Sequence, residues 1–154
     1  MAEGQSVKSY SLDIRRTVGA PIEKVFEAFT KPEIMKRWFC LGSSQHVEVK
    51  ELDLRVGGRL TVEVTEKDGR LWKLISQYVE VSPPRRLAFT WQWDGHPEHG
   101  ETLVTVELRQ LGQSNFTEVH MHHGEFPNAK SCGEHVQGWS ECFDNLVKAI
   151  PGYL

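Results

Sequence analysis

From His46 to about Gly124 the chain alternates apolar and polar residues in segments separated by turn residues. That alternation restricts the fold more than any other feature. A period of two sends successive side chains to opposite faces, and only half-buried antiparallel strands sustain it over so long a stretch. The block divides into six strands. The first lies around His46 to Glu51, and Val56-Gly57-Gly58 turns into Leu60, Val62 and Val64, which alternate with Thr61, Glu63 and Thr65. Lys67-Asp68-Gly69 is a hairpin signal, since Asp-Gly accepts the positive φ of a two-residue turn. Leu71 to Val81 follows and is broken by Ser82-Pro83-Pro84, after which Leu87, Phe89, Trp91 and Trp93 share one face. Beyond the loop His96 to Gly100 come Thr102, Val104, Val106 and Leu108. The last strand carries Thr117, Val119, Met121 and His123 on one side.

What precedes and follows this block is helical. Val7 to Val18 reads as a first strand, ended by Gly19-Ala20-Pro21, and Pro21 suits a helix start because the first-turn N–H has no partner to lose. Ile22, Val25, Phe26 and Phe29 then form one apolar stripe. Pro32 opens a second short helix in which Ile34, Met35, Trp38 and Phe39 share a face, up to the loop Gly42-Ser43-Ser44. At the other end Val136, Trp139, Phe143, Leu146, Val147 and Ile150 trace a stripe over a helix of about 18 residues. Ser131 with Glu134 has the spacing of a capping box, and Pro151-Gly152 stops the helix. The order is α+β. One long helix with so wide an apolar face needs a broad surface, which a seven-stranded twisted antiparallel sheet curving around it supplies.

The 154 residues, 39% hydrophobic and 25% charged, suit one self-supporting domain whose core spans about residues 8–150. Eighteen basic residues against 21 acidic ones give a net charge of −3 with no basic patch, so nucleic acid is excluded as a partner. No apolar run approaches the ~20 residues of a membrane span, and the polar start of the chain has no signal-peptide core. Cys40, Cys132 and Cys142 make an odd count without framework spacing, which fits reduced thiols in a cytoplasmic protein.

Several stretches taken in order resemble the Hsp90 ATPase activator homologue family of the START and Bet v 1-like superfamily. They are Ala20-Pro21-Ile22-Glu23-Lys24-Val25-Phe26 leading to Trp38-Phe39, then Val56-Gly57-Gly58, Val79 through Trp91 with its Ser82-Pro83-Pro84-Arg85-Arg86 centre, Thr117 through His123 to Phe126-Pro127, and Gly138-Trp139. The resemblance implies a helix-grip fold with a cavity between the sheet and the C-terminal helix, which in relatives holds apolar or amphipathic small molecules. It also implies two alternatives: an Hsp90-directed co-chaperone or stress-response role, and a polyketide-cyclase-like enzyme. For the first, the resemblance covers only the domain type that follows the main stimulating domain of the eukaryotic activators, and 154 residues hold no room for that other domain.

The candidate ligand residues are Trp38, Phe39, Trp91, Trp93, His123, Trp139 and Phe143. Buried indole N–H groups need partners, and a space holding water or a polar ligand atom supplies them. His123, on the inward phase of its strand and at a position where relatives carry His, would bond a ligand's polar group. A packed aromatic core and a satisfied core histidine are the plainer readings of the same residues. His120 and His122 fall on the opposite, wet phase. Neither His96-Pro97-Glu98-His99 nor Cys132-Gly133-Glu134-His135 has the spacing of a zinc site, so no metal and no cofactor is expected. Glu101, Glu125 and Asp94 flank the expected mouth, with entry through the loops 41–45 and 94–100, but no carboxylate lies clearly inward and no catalytic residue is assigned. The expected partner is an apolar or amphipathic small molecule, with a chaperone second, and the chain acts as monomer or homodimer.

Overall fold

The computed structural model describes residues 10–39 and 44–151. Strand β1 (Tyr10–Val18) leads into helices α1 (Ile22–Thr30) and α2 (Pro32–Trp38). Then come β2 (Ser44–Leu52), β3 (Arg59–Glu66), β4 (Leu71–Ser82), β5 (Arg86–Trp93), a 3-10 turn at Pro97–His99, β6 (Thr102–Gln110), β7 (Thr117–Phe126) and α3 (Ala129–Ala149). The seven strands form one antiparallel sheet in the order β1-β7-β6-β5-β4-β3-β2. Six consecutive strands are therefore a meander, and β1 closes it by pairing with the last one, Ile14 opposite Met121 and Leu12 opposite His123. Because β1 and β2 lie at opposite edges, α1 and α2 carry the chain across the sheet between them.

The alternation decides which face these helices cover. Leu60, Val62 and Val64 of β3, Leu74 and Tyr78 of β4, Phe89, Trp91 and Trp93 of β5, Val104 and Val106 of β6, and Val119 and Met121 of β7 are all buried and join one cluster with Val25, Phe29, Trp38, Trp139, Phe143 and Leu146. The sheet curves around α3 with this face inward. Each large side chain so buried contributes roughly 1.5–3 kcal/mol of gross burial, which is what holds a helix of weak intrinsic propensity in place. Trp38 fixes α2 against α1 by donating its indole N–H to the Ala28 carbonyl at 2.8 Å.

Local details depart from the sequence reading in three places. The last helix is 21 residues long and is capped by Asn128, whose side chain accepts from the Ser131 N–H at 2.8 Å. Ser131 therefore sits inside the first turn and the Ser131/Glu134 capping box does not form. Val136 is 41% exposed, so the stripe begins effectively at Trp139. The β3–β4 hairpin has a three-residue loop, Lys67-Asp68-Gly69, in which only Gly69 takes positive φ, with Glu66 and Arg70 paired across it. Gly58 is required for another reason: a Cβ there would lie 2.0 Å from the Asp53 carbonyl oxygen. The stretch of β1 expected before Tyr10, Cys40 and most of the expected entry loop 41–45 lie outside the described residues.

Candidate functional site

The chain has five tryptophans, and where their N–H groups go defines the site. Trp38 uses a helix carbonyl, as above. Trp139, on α3, donates to Nδ1 of His123 at 3.0 Å. That bond fixes the His123 tautomer: the proton is on Nε2, which donates to the Thr102 hydroxyl at 2.7 Å, and the hydroxyl in turn donates to the Trp91 carbonyl at 3.1 Å. Trp93 donates to Nε2 of His135 at 3.0 Å, so His135 carries its proton on Nδ1 and donates it to the Ser131 carbonyl at 2.8 Å. Trp72 donates to the Glu66 carboxylate. Among the described residues only Trp91, itself buried, has an indole N–H without a hydrogen-bond partner.

Both relay histidines are neutral for a physical reason. Burial holds the His123 imidazole well below its usual range, reinforced by the neighbouring His135 and His122. Burial also lowers His135; the bond to the Ser131 carbonyl opposes this and the His99 ring adds to it. His99 completes the cluster, with Nδ1 2.6 Å from the Ser131 hydroxyl and its ring edge-on to that of His135 at 5.2 Å.

These relays hold the walls of a cavity of about 340 Å³ between α3 and the β3–β5 part of the sheet. Phe39, Trp72, Trp91, Trp93 and Trp139 supply its aromatic lining, His99, His135 and Cys142 supply softer polar groups, and Glu66, Arg70 and Glu134 are its charged residues. Adjacent rings are turned nearly perpendicular, Trp72 to Trp93 by 76° and Trp91 to Trp93 by 87°, with centroids 5.7 and 5.5 Å apart. Gly138, in the middle of α3, also lines the space. A second hollow of about 310 Å³ adjoins it, sharing Arg70, Trp72, His99 and Glu134 and extending toward His96 and Lys130.

Comparison with known proteins places the sheet closed on one long helix within a family. The model of the family described as Activator of Hsp90 ATPase homolog 1-like protein matches residues 19–150. The chain belongs to this family. Its fold is the helix-grip fold, shared with solved structures of low sequence identity. A protein from Chromobacterium violaceum matches at a TM-score of 0.82 with 23% identity, over 91% of this chain and 96% of that one. A protein from Arthrobacter aurescens matches at 0.81 with 21% identity, over 92% and 86%. CalU16 from Micromonospora echinospora matches at 0.70 with 26% identity, over 92% and 76%. No curated protein is similar enough to the sequence to be matched to it.

Within this activator-homologue domain the seven residues singled out from the sequence fall into two groups. Phe39, Trp91, Trp93 and Trp139 line the cavity. Trp38, His123 and Phe143 stand behind it: Trp38 and Phe143 are packed edge-to-face at 6.1 Å, and His123 is wholly buried between Thr102 and Trp139. His123 thus orients a wall residue and has no free nitrogen for a ligand. Glu101, Glu125 and Asp94 are not among the lining residues.

The lining residues that the sequence reading did not assign to the ligand site come from places that sequence could not bring together. Glu66, Arg70 and Trp72 arrive on the β3–β4 hairpin, His99 on the 3-10 turn, and Glu134, His135, Gly138 and Cys142 on α3. His135 had one available signal: it lies four residues before Trp139 and so on the same side of the helix. On the other face of the sheet His120 and His122 both bond Oδ1 of Asp13, at 2.8 and 3.0 Å, and that carboxyl is held below its usual range chiefly by the His120 bond. Among the described residues no three or more His, Cys, Asp or Glu side chains are arranged to hold a metal ion. No described helix is long and apolar enough to cross a membrane.

Proposed function

We propose that this protein binds one apolar or amphipathic small molecule in the cavity between α3 and the sheet, without transforming it. The observation that carries the reading is the 340 Å³ space lined by five aromatic rings, within the ~300–1,000 Å³ range of small-molecule sites. Aromatic faces supply apolar contact. Both ring nitrogens of His135 are engaged, as are those of His123, so neither imidazole is a free base. This weighs against the cyclase-type alternative, which would have to use Glu66, Glu134 or His99. The odd count of three cysteines supports a reducing, cytoplasmic setting.

The test is a thermal-shift and native mass-spectrometry screen of the full chain against aromatic and aliphatic compounds. A ligand at 100 times its dissociation constant adds about 2.7 kcal/mol of stability. A protein that takes up nothing at millimolar concentration does not use this space for binding. Action on a chaperone is the second reading, favoured by the family match alone. Unchanged ATP turnover by Hsp90 on addition of the chain removes it.

A further inference from the structure

The charge around the cavity is unbalanced, and the imbalance selects among ligands. Of its three charged lining residues, Arg70 is committed within its own hairpin loop. Its backbone N–H donates to Oδ1 of Asp68 at 2.9 Å and its guanidinium to Oδ2 at 3.0 Å. Those two contacts, the backbone one first, hold the Asp68 carboxyl below its usual range, so the pair is neutral as a unit. Among the described residues the Glu66 carboxylate receives only the uncharged Trp72 N–H, and no basic side chain forms an ion pair with Glu66 or Glu134. His135 adds no positive charge, being buried with both nitrogens engaged. His99 turns Nδ1 to the Ser131 hydroxyl and has Nε2 3.9 Å from Glu98, which is outside this cavity. Two carboxylates with no ion-pair partner among the described residues therefore border a space whose other lining is mainly aromatic, with Arg70 paired to Asp68.

The aromatic walls point the same way. The face of an indole is the negative end of its quadrupole and attracts a cation more strongly than any other side-chain ring. A slot between parallel rings would suit a flat neutral molecule, whereas rings turned by 76° and 87° make a box corner that suits a rounded group. A small, strongly hydrated ion would lose its water here without enough oxygen ligands to replace it. A methylated ammonium, with diffuse charge and an apolar surface, loses little water and meets both ring faces and carboxylates.

Resting on the reading of the cavity as a ligand site, we propose that its ligand is an organic cation: a quaternary or tertiary ammonium on an apolar or aromatic body, its charge directed toward Glu66 and Glu134. The chemistry excludes carboxylates and phosphates of the same size, which would face like charges.

An isosteric pair of probes tests this directly. Trimethylphenylammonium and tert-butylbenzene differ only in a charged nitrogen for a carbon, and both are titrated into the full chain by indole fluorescence. The cation binds at least tenfold more tightly, a difference of about 1.4 kcal/mol. In the double variant Glu66→Gln, Glu134→Gln that preference collapses to less than threefold. The Glu66→Gln change is a mild one, since a glutamine amide oxygen still accepts from the Trp72 N–H. Glu134→Gln alone, at an exposed helix position, loses at least threefold of the preference and keeps the test available if the double variant does not fold. Equal or tighter binding of tert-butylbenzene, or a preference that survives both substitutions, overturns the cation assignment and leaves the cavity reading standing. Uptake of neither probe overturns both.

Discussion

Replacing His123 by leucine separates its structural work from its protonation. At neutral pH the substitution leaves the Trp139 N–H buried without an acceptor, since that indole is only 5% exposed and His123 is its partner. An orphaned buried donor costs about 1–3 kcal/mol, and loss of the bond to Thr102 adds roughly 0.5–1.5. Leucine restores much of the apolar packing, so the variant is expected to be about 2–4 kcal/mol less stable at pH 7.5, within what a domain of this size tolerates.

The pH dependence is the sharper part. The native imidazole is held well below its usual range by burial, whereas the unfolded one titrates near ~6.5. Stability from this group is therefore fully present above that value. As pH falls below it, the unfolded chain takes up a proton that the native state refuses, and stability is lost toward the native pKa. For one such histidine the loss reaches about 1.4 kcal/mol at pH 5.5. Leucine does not titrate, so the gap between wild type and variant should narrow by that amount between pH 7.5 and 5.5, the other histidines being common to both. Urea unfolding followed by indole fluorescence at the two pH values measures the gap. A gap that stays constant or widens on acidification would refute the claim that His123 is buried neutral.

Gly138→Leu is expected to raise helix stability by up to ~1 kcal/mol, because glycine is a poor residue for a helix interior, while abolishing uptake of any probe that otherwise binds; retained uptake would show that the side chain does not enter the cavity. Asn128→Ala should cost about 1 kcal/mol in thermal or denaturant unfolding through loss of the α3 cap, whereas Glu134→Ala should lie within about 0.5 kcal/mol of wild type. The reverse ranking would restore the capping box. Tyr78→Phe removes a buried hydroxyl that has no partner and whose ionisation burial opposes. Its stability should be unchanged or slightly raised, and a loss above about 1 kcal/mol would reveal a hydrogen bond to that oxygen.

The architecture was legible because each strand repeats one physical rule. With every second residue apolar from Leu60 to Val64 and from Leu87 to Trp93, and Val119 and Met121 in the same phase between Thr117 and His123, a single register buries all of them together. The helix start was less legible, because Asn128 and Ser131 are both good capping residues and nothing local says which one leaves the helix. The site was legible in part. Strand phase and helix phase identify the inward aromatics Trp91, Trp93 and Trp139. They do not say whether an inward residue meets a cavity or another side chain, and that difference sent His123 and Phe143 behind the wall. Trp72, Glu66 and His99 come from a hairpin and a short turn, and their arrival over α3 depends on how far the sheet bends, which no window of sequence records.

The missing side chain in the middle of α3 also has an evolutionary consequence. Every glycine codon is one base change from alanine and from valine, so related proteins can shrink the chamber by a methyl or an isopropyl group without altering the scaffold around it. Divergence in what such proteins accept can thus begin at position 138, where added bulk improves the helix even as it removes an occupant's space.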